Sequence, residues 1–123
     1  ENALRLRLYG EKAGLSWAQE HPNHLWFTPL GQPPRLVTRG GAGAGPEAAR
    51  MTRVPPGHPE GYLEGFANIY AEAGRAIRAA QAGQAPDSAV VYPTLADGLA
   101  GVAFVDACVR SSARNAAWVT LNL

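Results

Sequence analysis

The sequence predicts an α+β fold in which an antiparallel β-sheet carries two helices on one face. Short runs in the first third alternate apolar and polar residues between turns, as in "ENALRLRLYG", which is typical of half-buried strands. Two longer stretches then repeat apolar residues at three- and four-residue steps, which indicates helices. The final "AWVTLNL" alternates again and predicts a last strand in the same sheet. Because 123 residues are one domain in length, we expect residues 1–123 to form a single domain.

Composition excludes several classes of protein. With 46% hydrophobic and 17% charged residues, the chain is globular rather than disordered. Its formal net charge of +1 and the lack of a basic block argue against nucleic acid or a membrane as a partner. The single cysteine, Cys108, cannot form an internal disulfide, and its apolar surroundings predict a buried side chain. We therefore expect a cytoplasmic protein.

The predicted strands follow one another as a meander. A strand over residues 3–9 turns at "GEKAG" into "LSWAQ", and "EHPN" turns the chain into "HLWFTPL". In that third strand, Leu25 and Phe27 face one way and Trp26 faces the other. "GQPP" leads to a fourth strand, "RLVTR". The chain begins in mid-strand without an initiator methionine, which predicts a piece of a longer protein.

The glycine-rich stretch "RGGAGAGPEAAR" needs to be tested as a dinucleotide-binding loop. The fingerprint G-x-G-x-x-G fails because Pro46 stands where the third glycine belongs. Only about two turns of possible helix follow, too few for a βαβ unit. We expect a flexible surface loop that binds no phosphate.

Two long helices are predicted after this loop. Pro59 and Glu60 suit the first turn of the first helix, and Gly83 is its natural end. Thr94 and Asp97 predict a capping box at the start of the second. The buried face of the first helix is expected to be Leu63, Phe66, Ile69, Tyr70, Ala73, Ile77 and Ala80, and that of the second Leu95, Leu99, Val102, Val105 and Val109.

No combination of residues in the chain predicts a catalytic centre. His21, His24 and His58 lack the cysteine or carboxylate partners that would complete a metal site. Ser111 and Ser112 fall at a predicted helix end, and no G-x-S-x-G motif occurs. We therefore predict no catalytic residue and no metal ligand.

Three stretches carry a family resemblance: "LRLRLYGEKAGLSW", "GHPEGYLEGFANIYAEAGRAI" and "YPTLADGLAGVAFVDACVRSSARNAAWVTL". In this order and spacing they resemble the C-terminal portion of the Gfo/Idh/MocA family of NAD(P)-dependent oxidoreductases, over nearly the whole chain except the glycine-rich loop. The resemblance implies an N-terminal Rossmann domain that holds NAD or NADP, and a C-terminal domain that closes the cleft for a sugar- or polyol-like substrate. The family's cofactor glycines and catalytic lysine precede the matched region. It follows from the resemblance that this chain binds no cofactor and is not catalytic alone, and Lys12, whose "EKA" lacks the family's proline, does not inherit the lysine's role.

The resemblance also implies substrate-binding residues. In similar proteins, the loop before the long helix and the start of the first strand border the substrate cleft, which maps onto His58 and Asn2. A histidine there can donate a hydrogen bond to a sugar hydroxyl or accept one from it. The alternative is that His58 only packs at the helix entrance, where Pro59 fixes the turn.

Two classes of function remain open on the sequence. One is the substrate-side and oligomerisation domain of an oxidoreductase, and the other is a self-standing, non-catalytic sheet module that binds a protein or a ligand. In either case two helices cover only one face of a meander. We expect a homo-oligomer formed through the open sheet face, which would carry aromatic residues such as Trp17 or Trp26.

Overall fold

A computed structural model describes residues 1–123, which form two compact units, residues 1–68 and 69–123. The single-domain expectation stays a prediction. The elements, in chain order, are β1 (Arg5–Tyr9), β2 (Ala13–Ala18), β3 (His24–Pro29), β4 (Arg35–Thr38), α1 (Pro46–Met51), α2 (Tyr62–Gln81) and α3 (Leu95–Ala113). None of the helices is long and apolar enough to cross a membrane.

The four strands form one antiparallel sheet in the order β1-β2-β3-β4, which confirms the predicted meander and the α+β class. Trp17 pairs with Leu25, whereas Trp26 pairs with Ser16. Because side chains alternate along a strand, the two tryptophans lie on opposite faces of the sheet. One face carries Leu6, Leu15, Trp17, Leu25, Phe27 and Val37, and the other Arg5, Arg7, Ser16, His24, Trp26, Leu36 and Thr38.

The glycine-rich stretch is more ordered than a flexible loop. After a turn at residues 39–43 it forms α1, which Pro46 opens. Proline suits a first helical position because its missing N–H would have no partner there. The helix has only six residues, in agreement with the two turns counted in the sequence.

Helix α2 begins at Tyr62, later than predicted. Pro59 and Glu60 precede the helix, and the acidic residue of its first turn is Glu64, whose carboxylate accepts the Gly61 N–H at 2.8 Å. The prediction that Pro59 and Glu60 form the first turn of this helix was wrong, and the Glu60 carboxylate accepts the N–H groups of residues 53 and 54 instead.

The predicted stop of α2 at Gly83 is confirmed. Gly83 has φ +67°, and its N–H donates to the Ala80 carbonyl while the Gln84 N–H donates to the Ala79 carbonyl. This pair of hydrogen bonds is the Schellman arrangement, which needs a residue in the left-handed region.

The predicted capping box of α3 is also confirmed. Thr94 Oγ1 accepts the Asp97 N–H, and Asp97 Oδ2 accepts the Thr94 N–H at 2.7 Å. At the other end, Asn115 with φ +55° occupies the left-handed position that ends the helix.

The predicted buried faces of both long helices were wrong. In α2, Leu63 is 76% exposed and Tyr70 is 74% exposed, and the buried side chains are those of Glu72 and Ala76. Phe66, Ile69 and Ile77 of α2 and all of Leu95, Leu99, Val102, Val105 and Val109 of α3 are exposed as well. The reason is that periodicity shows which side of a helix is apolar but not whether another surface packs against it. The packing of the helices on one face of the sheet stays a prediction.

A buried carboxylate organises the second unit. Glu72 is 2% exposed, is paired with Arg75, and accepts the Val91 N–H at 3.0 Å. The bond to Val91 ties the segment before α3 to α2. A buried charge requires such partners because its desolvation is costly.

Two further predictions about the end of the chain were wrong. Residues 117–123 form no strand. Their carbonyls are used by α3 side chains instead, since Ser111 Oγ donates to the Ala117 carbonyl at 2.8 Å and Arg110 Nη2 donates to the Thr120 carbonyl at 3.0 Å. Cys108 is exposed, because the apolar pattern in which it lies is itself uncovered.

Candidate functional site

The site lies around residues 53–61, a segment without regular structure between α1 and α2 that we call the histidine elbow. Its three prolines, Pro55, Pro56 and Pro59, prevent a helix because they lack N–H donors. Gly57 has φ +86°, a conformation that favours glycine. Within the segment, the His58 N–H donates to the Pro55 carbonyl at 3.3 Å. The elbow is therefore held chiefly by residues outside it.

The guanidinium of Arg39, the residue that follows β4, supplies most of those contacts. Its Nε donates to Asn23 Oδ1 at 2.7 Å and its Nη1 to the Val54 carbonyl at 2.7 Å. Its Nη2 donates to the carbonyls of Pro55 and His58. Arginine suits this position because its planar group presents five donors in a fixed fork.

Glu60 completes the same network from within the elbow. Its Oε2 lies 3.1 Å from Arg39 Nη1 and accepts the N–H groups of Arg53 at 3.0 Å and Val54 at 2.8 Å. The side chains of Arg39 and Glu60 are only 15% and 8% exposed, so each charge depends on the other. Asn23 Oδ1, which accepts Arg39 Nε, also accepts the Glu60 N–H at 3.2 Å.

The beginning of the elbow is tied separately to α2. Arg53 Nε donates to Asn68 Oδ1 at 2.6 Å, and Arg53 Nη2 donates to the Ala67 carbonyl at 2.9 Å. Asn68 Nδ2 in turn donates to the Met51 carbonyl at 2.7 Å. These contacts fix where α2 begins relative to α1, and they do not involve His58.

Close packing against the sheet end leaves little room for the elbow to move. A Cβ placed at Gly40, which has φ +67°, would lie 2.9 Å from Cγ of Pro56. At the other end of the elbow, a Cβ at Gly61 would lie 3.4 Å from Cγ of Pro22. The turns before β3 and after β4 therefore both contact the elbow.

His58 lines a cavity of about 350 Å³ at this end of the sheet. Pro56, Gly57 and Pro59 give the cavity an apolar wall, and Asn23, His24, Thr38 and Arg39 add polar groups to its lining. Two imidazoles, a hydroxyl and an amide can both donate and accept hydrogen bonds. Such a lining fits a ligand that carries several hydroxyl groups.

Asn2, the second predicted substrate residue, is placed elsewhere in the same unit. Its Nδ2 donates to Gln19 Oε1 at 2.6 Å, and the next N–H, that of Ala3, donates to Glu20 Oε1 at 2.8 Å. Asn2 does not line the cavity of His58. Its partners Gln19 and Glu20 line a larger groove of about 770 Å³ that also contains Trp17 and Glu60. The structure therefore separates the two predicted residues: His58 lines the smaller cavity, whereas Asn2 contacts Gln19 at the larger groove.

The remaining candidates have structural roles or no catalytic partners. The His21 and His24 rings stack at 6.3 Å, and no group of three or more His, Cys, Asp or Glu side chains could hold a metal ion. Asp106 pairs with Arg110 at 2.8 Å, whereas Asp97 caps α3.

Two carboxyl groups near helix starts are shifted by hydrogen bonds. The Gly61 N–H lowers the pKa of Glu64 below its ordinary value of 4.5. The Thr94 hydroxyl, followed by the Thr94 N–H, lowers the pKa of Asp97 below 3.8. Both groups stay ionised at neutral pH and stabilise the first turns of α2 and α3.

Comparison with known proteins shows which proteins this chain is similar to. No family model matches the sequence. The uncharacterized oxidoreductase YfiI of Bacillus subtilis (strain 168) is 31% identical over 116 residues, which are 94% of this chain and 30% of that protein. An oxidoreductase of known structure from Sinorhizobium meliloti is 62% identical, with a TM-score of 0.89 over 98% of this chain and 33% of its own. This chain is homologous to one third of an oxidoreductase.

A second similarity is to an inositol dehydrogenase homolog from Azotobacter vinelandii. Its structure in complex with NAD+ is 36% identical to this chain, with a TM-score of 0.84 over 95% of this chain and 30% of its own. Another structure of that homolog contains NADH and myo-inositol. These similarities confirm the resemblance to the C-terminal portion of a Gfo/Idh/MocA-like enzyme. The chain spans about a third of the length of the relatives it matches.

Proposed function

We propose that this chain is the substrate-side and oligomerisation domain of an NAD-dependent dehydrogenase that acts on a sugar- or polyol-like substrate. The observation that carries the proposal is the similarity, at 36% identity over 95% of this chain, to a structure of an inositol dehydrogenase homolog with NADH and myo-inositol. The cavity at His58 supports it, because donors and acceptors surround a space of about 350 Å³.

In this proposal His58 binds a substrate hydroxyl, and Asn2 is a second substrate-binding residue. An imidazole can donate to a hydroxyl through one nitrogen and accept from it through the other. The groups that transfer hydride and the proton lie outside these 123 residues, as does the cofactor site, since the chain has no G-x-G-x-x-G fingerprint. The chain alone is therefore not an active enzyme.

The same proposal assigns the open sheet face to association with a second copy. The face that contains Trp26 and Leu36 leaves these side chains 48% and 43% exposed. Exposed apolar side chains grouped on one surface are typical of an interface. A two-fold pairing would place this face against its own equivalent.

The test is a steady-state assay of the full-length protein with NAD+ and a panel of polyols and sugars that includes myo-inositol. We expect formation of NADH with at least one polyol, and none when the 123-residue chain is assayed alone. Simple alcohols serve as the control because they lack adjacent hydroxyls. If no polyol is oxidised and none binds in the presence of NADH, the chain is instead a non-catalytic binding module.

A further inference from the structure

We infer that Arg39 is a positioning residue for His58: its guanidinium, held by Asn23 and Glu60, fixes the backbone of the elbow that carries the imidazole. The inference rests on the proposed function, in which His58 contacts the substrate. Arg39 itself is not assigned a contact with the substrate, because its donors are directed to carbonyls, to Asn23 and to Glu60.

The first step of the argument is the number of elbow carbonyls that one side chain holds. Arg39 donates to the carbonyls of Val54, Pro55 and His58, which span both sides of the turn at Gly57. Three prolines leave the elbow few N–H groups for hydrogen bonds of its own. Its shape therefore depends on an external donor that reaches several residues at once.

The second step is that this donor is anchored to the sheet. Arg39 follows β4 directly, and its N–H donates to the Asn23 carbonyl at 2.9 Å. Asn23 precedes β3. The next residue, His24, lies opposite Thr38, the last residue of β4, in the antiparallel pairing of the two strands. His24 and Thr38 line the same cavity as His58. Arg39 thus fixes the elbow to the strand ends that form the rest of the cavity.

The third step separates the geometry of Arg39 from its charge. Glu60 needs a cation beside it, because an unpaired buried carboxylate is strongly destabilising. A lysine at position 39 would supply that charge but not the fixed fork that reaches Asn23 and three carbonyls. Arg39→Lys therefore keeps the ion pair and removes the positioning.

The test compares Arg39→Lys with His58→Ala and with the double variant in the full-length protein. We expect Arg39→Lys to raise the KM for the polyol roughly tenfold, on the scale of a lost charge-assisted hydrogen bond. Since Arg39 acts through His58, adding Arg39→Lys to His58→Ala should raise KM no further. Additive effects of the two substitutions would overturn the inference.

Arg110→Lys is the matched control, because Arg110 also uses its guanidinium to hold a carboxylate and a carbonyl, those of Asp106 and Thr120, but none in the elbow. We expect it to leave KM unchanged. A rise in KM equal to that of Arg39→Lys would indicate general loosening and contradict the inference.

Hydrogen exchange gives a readout that does not depend on activity. In Arg39→Lys the amides of Val54, His58 and Glu60 should exchange about tenfold faster than in the unsubstituted protein, as expected for loss of roughly one hydrogen bond of stability. Unchanged exchange in this segment overturns the inference. A His58→Ala variant with normal KM would instead refute the proposed role of His58 and leave the exchange result to decide the role of Arg39. If Arg39→Lys folds poorly, Asn23→Ala removes the acceptor of Arg39 Nε and should show the same exchange result at Val54 and His58, whose N–H groups do not bond Asn23.

Discussion

At the scale of single residues, the polar groups around the elbow satisfy one another. No buried side-chain nitrogen or oxygen in the structure lacks a hydrogen-bond partner. Asn23 Oδ1 accepts hydrogen bonds from Arg39 Nε and from the Glu60 N–H. Glu60 Oε2 is paired with the Arg39 guanidinium and accepts two backbone N–H groups. Removal of one member would leave the others with unmet hydrogen bonds in a partly buried site. This shared bonding explains why the elbow has a defined shape without secondary structure.

The residue-scale prediction concerns His58→Ala in the full-length protein. The imidazole of His58 is exposed at a cavity, and only the backbone carbonyl of His58 is bonded to Arg39. We therefore expect the KM for a polyol to rise about three- to tenfold, with the melting temperature nearly unchanged. Steady-state kinetics and thermal unfolding measure the two effects. His21→Ala is the control, since His21 does not line this cavity. A lowered melting temperature with intact kinetics would show that His58 only packs at the helix entrance.

A second residue-scale prediction concerns the pH dependence of stability. The pKa of Asp97 is lowered in the folded chain by the Thr94 hydroxyl, so its stabilising contribution is present above the unfolded pKa and is lost as the pH falls through the folded pKa. In Asp97→Asn this contribution is absent at every pH. The difference in melting temperature between the two proteins should be constant above about pH 5 and shrink below about pH 4. A difference that grows on acidification would contradict the assignment.

The family resemblance pointed to His58 as a candidate, but nothing in the sequence pointed to Arg39 or Asn23. A histidine beside Pro59 and Gly57 is visible in a local motif. The network of Arg39, Asn23 and Glu60 joins residues that are far apart in the chain, since Asn23 and Glu60 are separated by 37 positions. No local pattern carries that information, because the contact exists only once the sheet has brought the turns before β3 and after β4 together. Arg39 looks like an ordinary charged residue after a strand.

At the scale of the elements, helix ends follow local hydrogen-bond rules. The Thr94–Asp97 capping box and the stop at Gly83 were both predictable, because each depends on residues within one turn of helix. The four strands were predictable for a similar reason, since alternation and turn residues are local. The predicted last strand is not formed, because a strand needs a neighbour to pair with, and the carbonyls of Ala117 and Thr120 are bonded to α3 side chains instead.

The element-scale prediction compares Gly65, inside α2, with Gly83, which follows its last turn. Gly83→Ala should destabilise the chain by about 1 kcal/mol, because φ +67° is unfavourable for any residue with a Cβ. Gly65→Ala, within the helix and with open space at its Cβ, should instead stabilise it by about 0.5–1 kcal/mol through helix propensity. Denaturant unfolding of the two variants measures both changes. Equal effects of the two substitutions would mean that Gly83 does not end the helix as described.

At the scale of the whole molecule, large apolar side chains remain exposed on the sheet and on both long helices. Periodicity identified the apolar stripes of α2 and α3 correctly, but it could not show that this chain leaves them uncovered. The spacing of apolar residues shows which face of a helix is apolar, but it does not show which other surface packs against that face. The relatives that this chain matches are about three times longer, so the covering surface is to be sought in the full-length protein or in a second copy.

The prediction at this scale is that the full-length protein is a dimer or tetramer at micromolar concentration, measured by sedimentation. Trp26→Lys should shift it toward smaller species, because the charge would be placed on the exposed sheet face. Trp118→Lys is the matched control, since Trp118 is fully exposed and lies outside the sheet. A monomeric unsubstituted protein would refute association through this face.

The central claim, that this chain supplies the substrate side of a polyol dehydrogenase, is tested most directly by hydrogen exchange on the full-length protein. The comparison is between the NADH complex with and without a bound polyol such as myo-inositol. The account predicts that the polyol slows exchange in the histidine elbow, residues 53–61, and leaves α3, residues 95–113, unchanged. Slowed exchange elsewhere in the protein, with the elbow unaffected by the polyol, would contradict it.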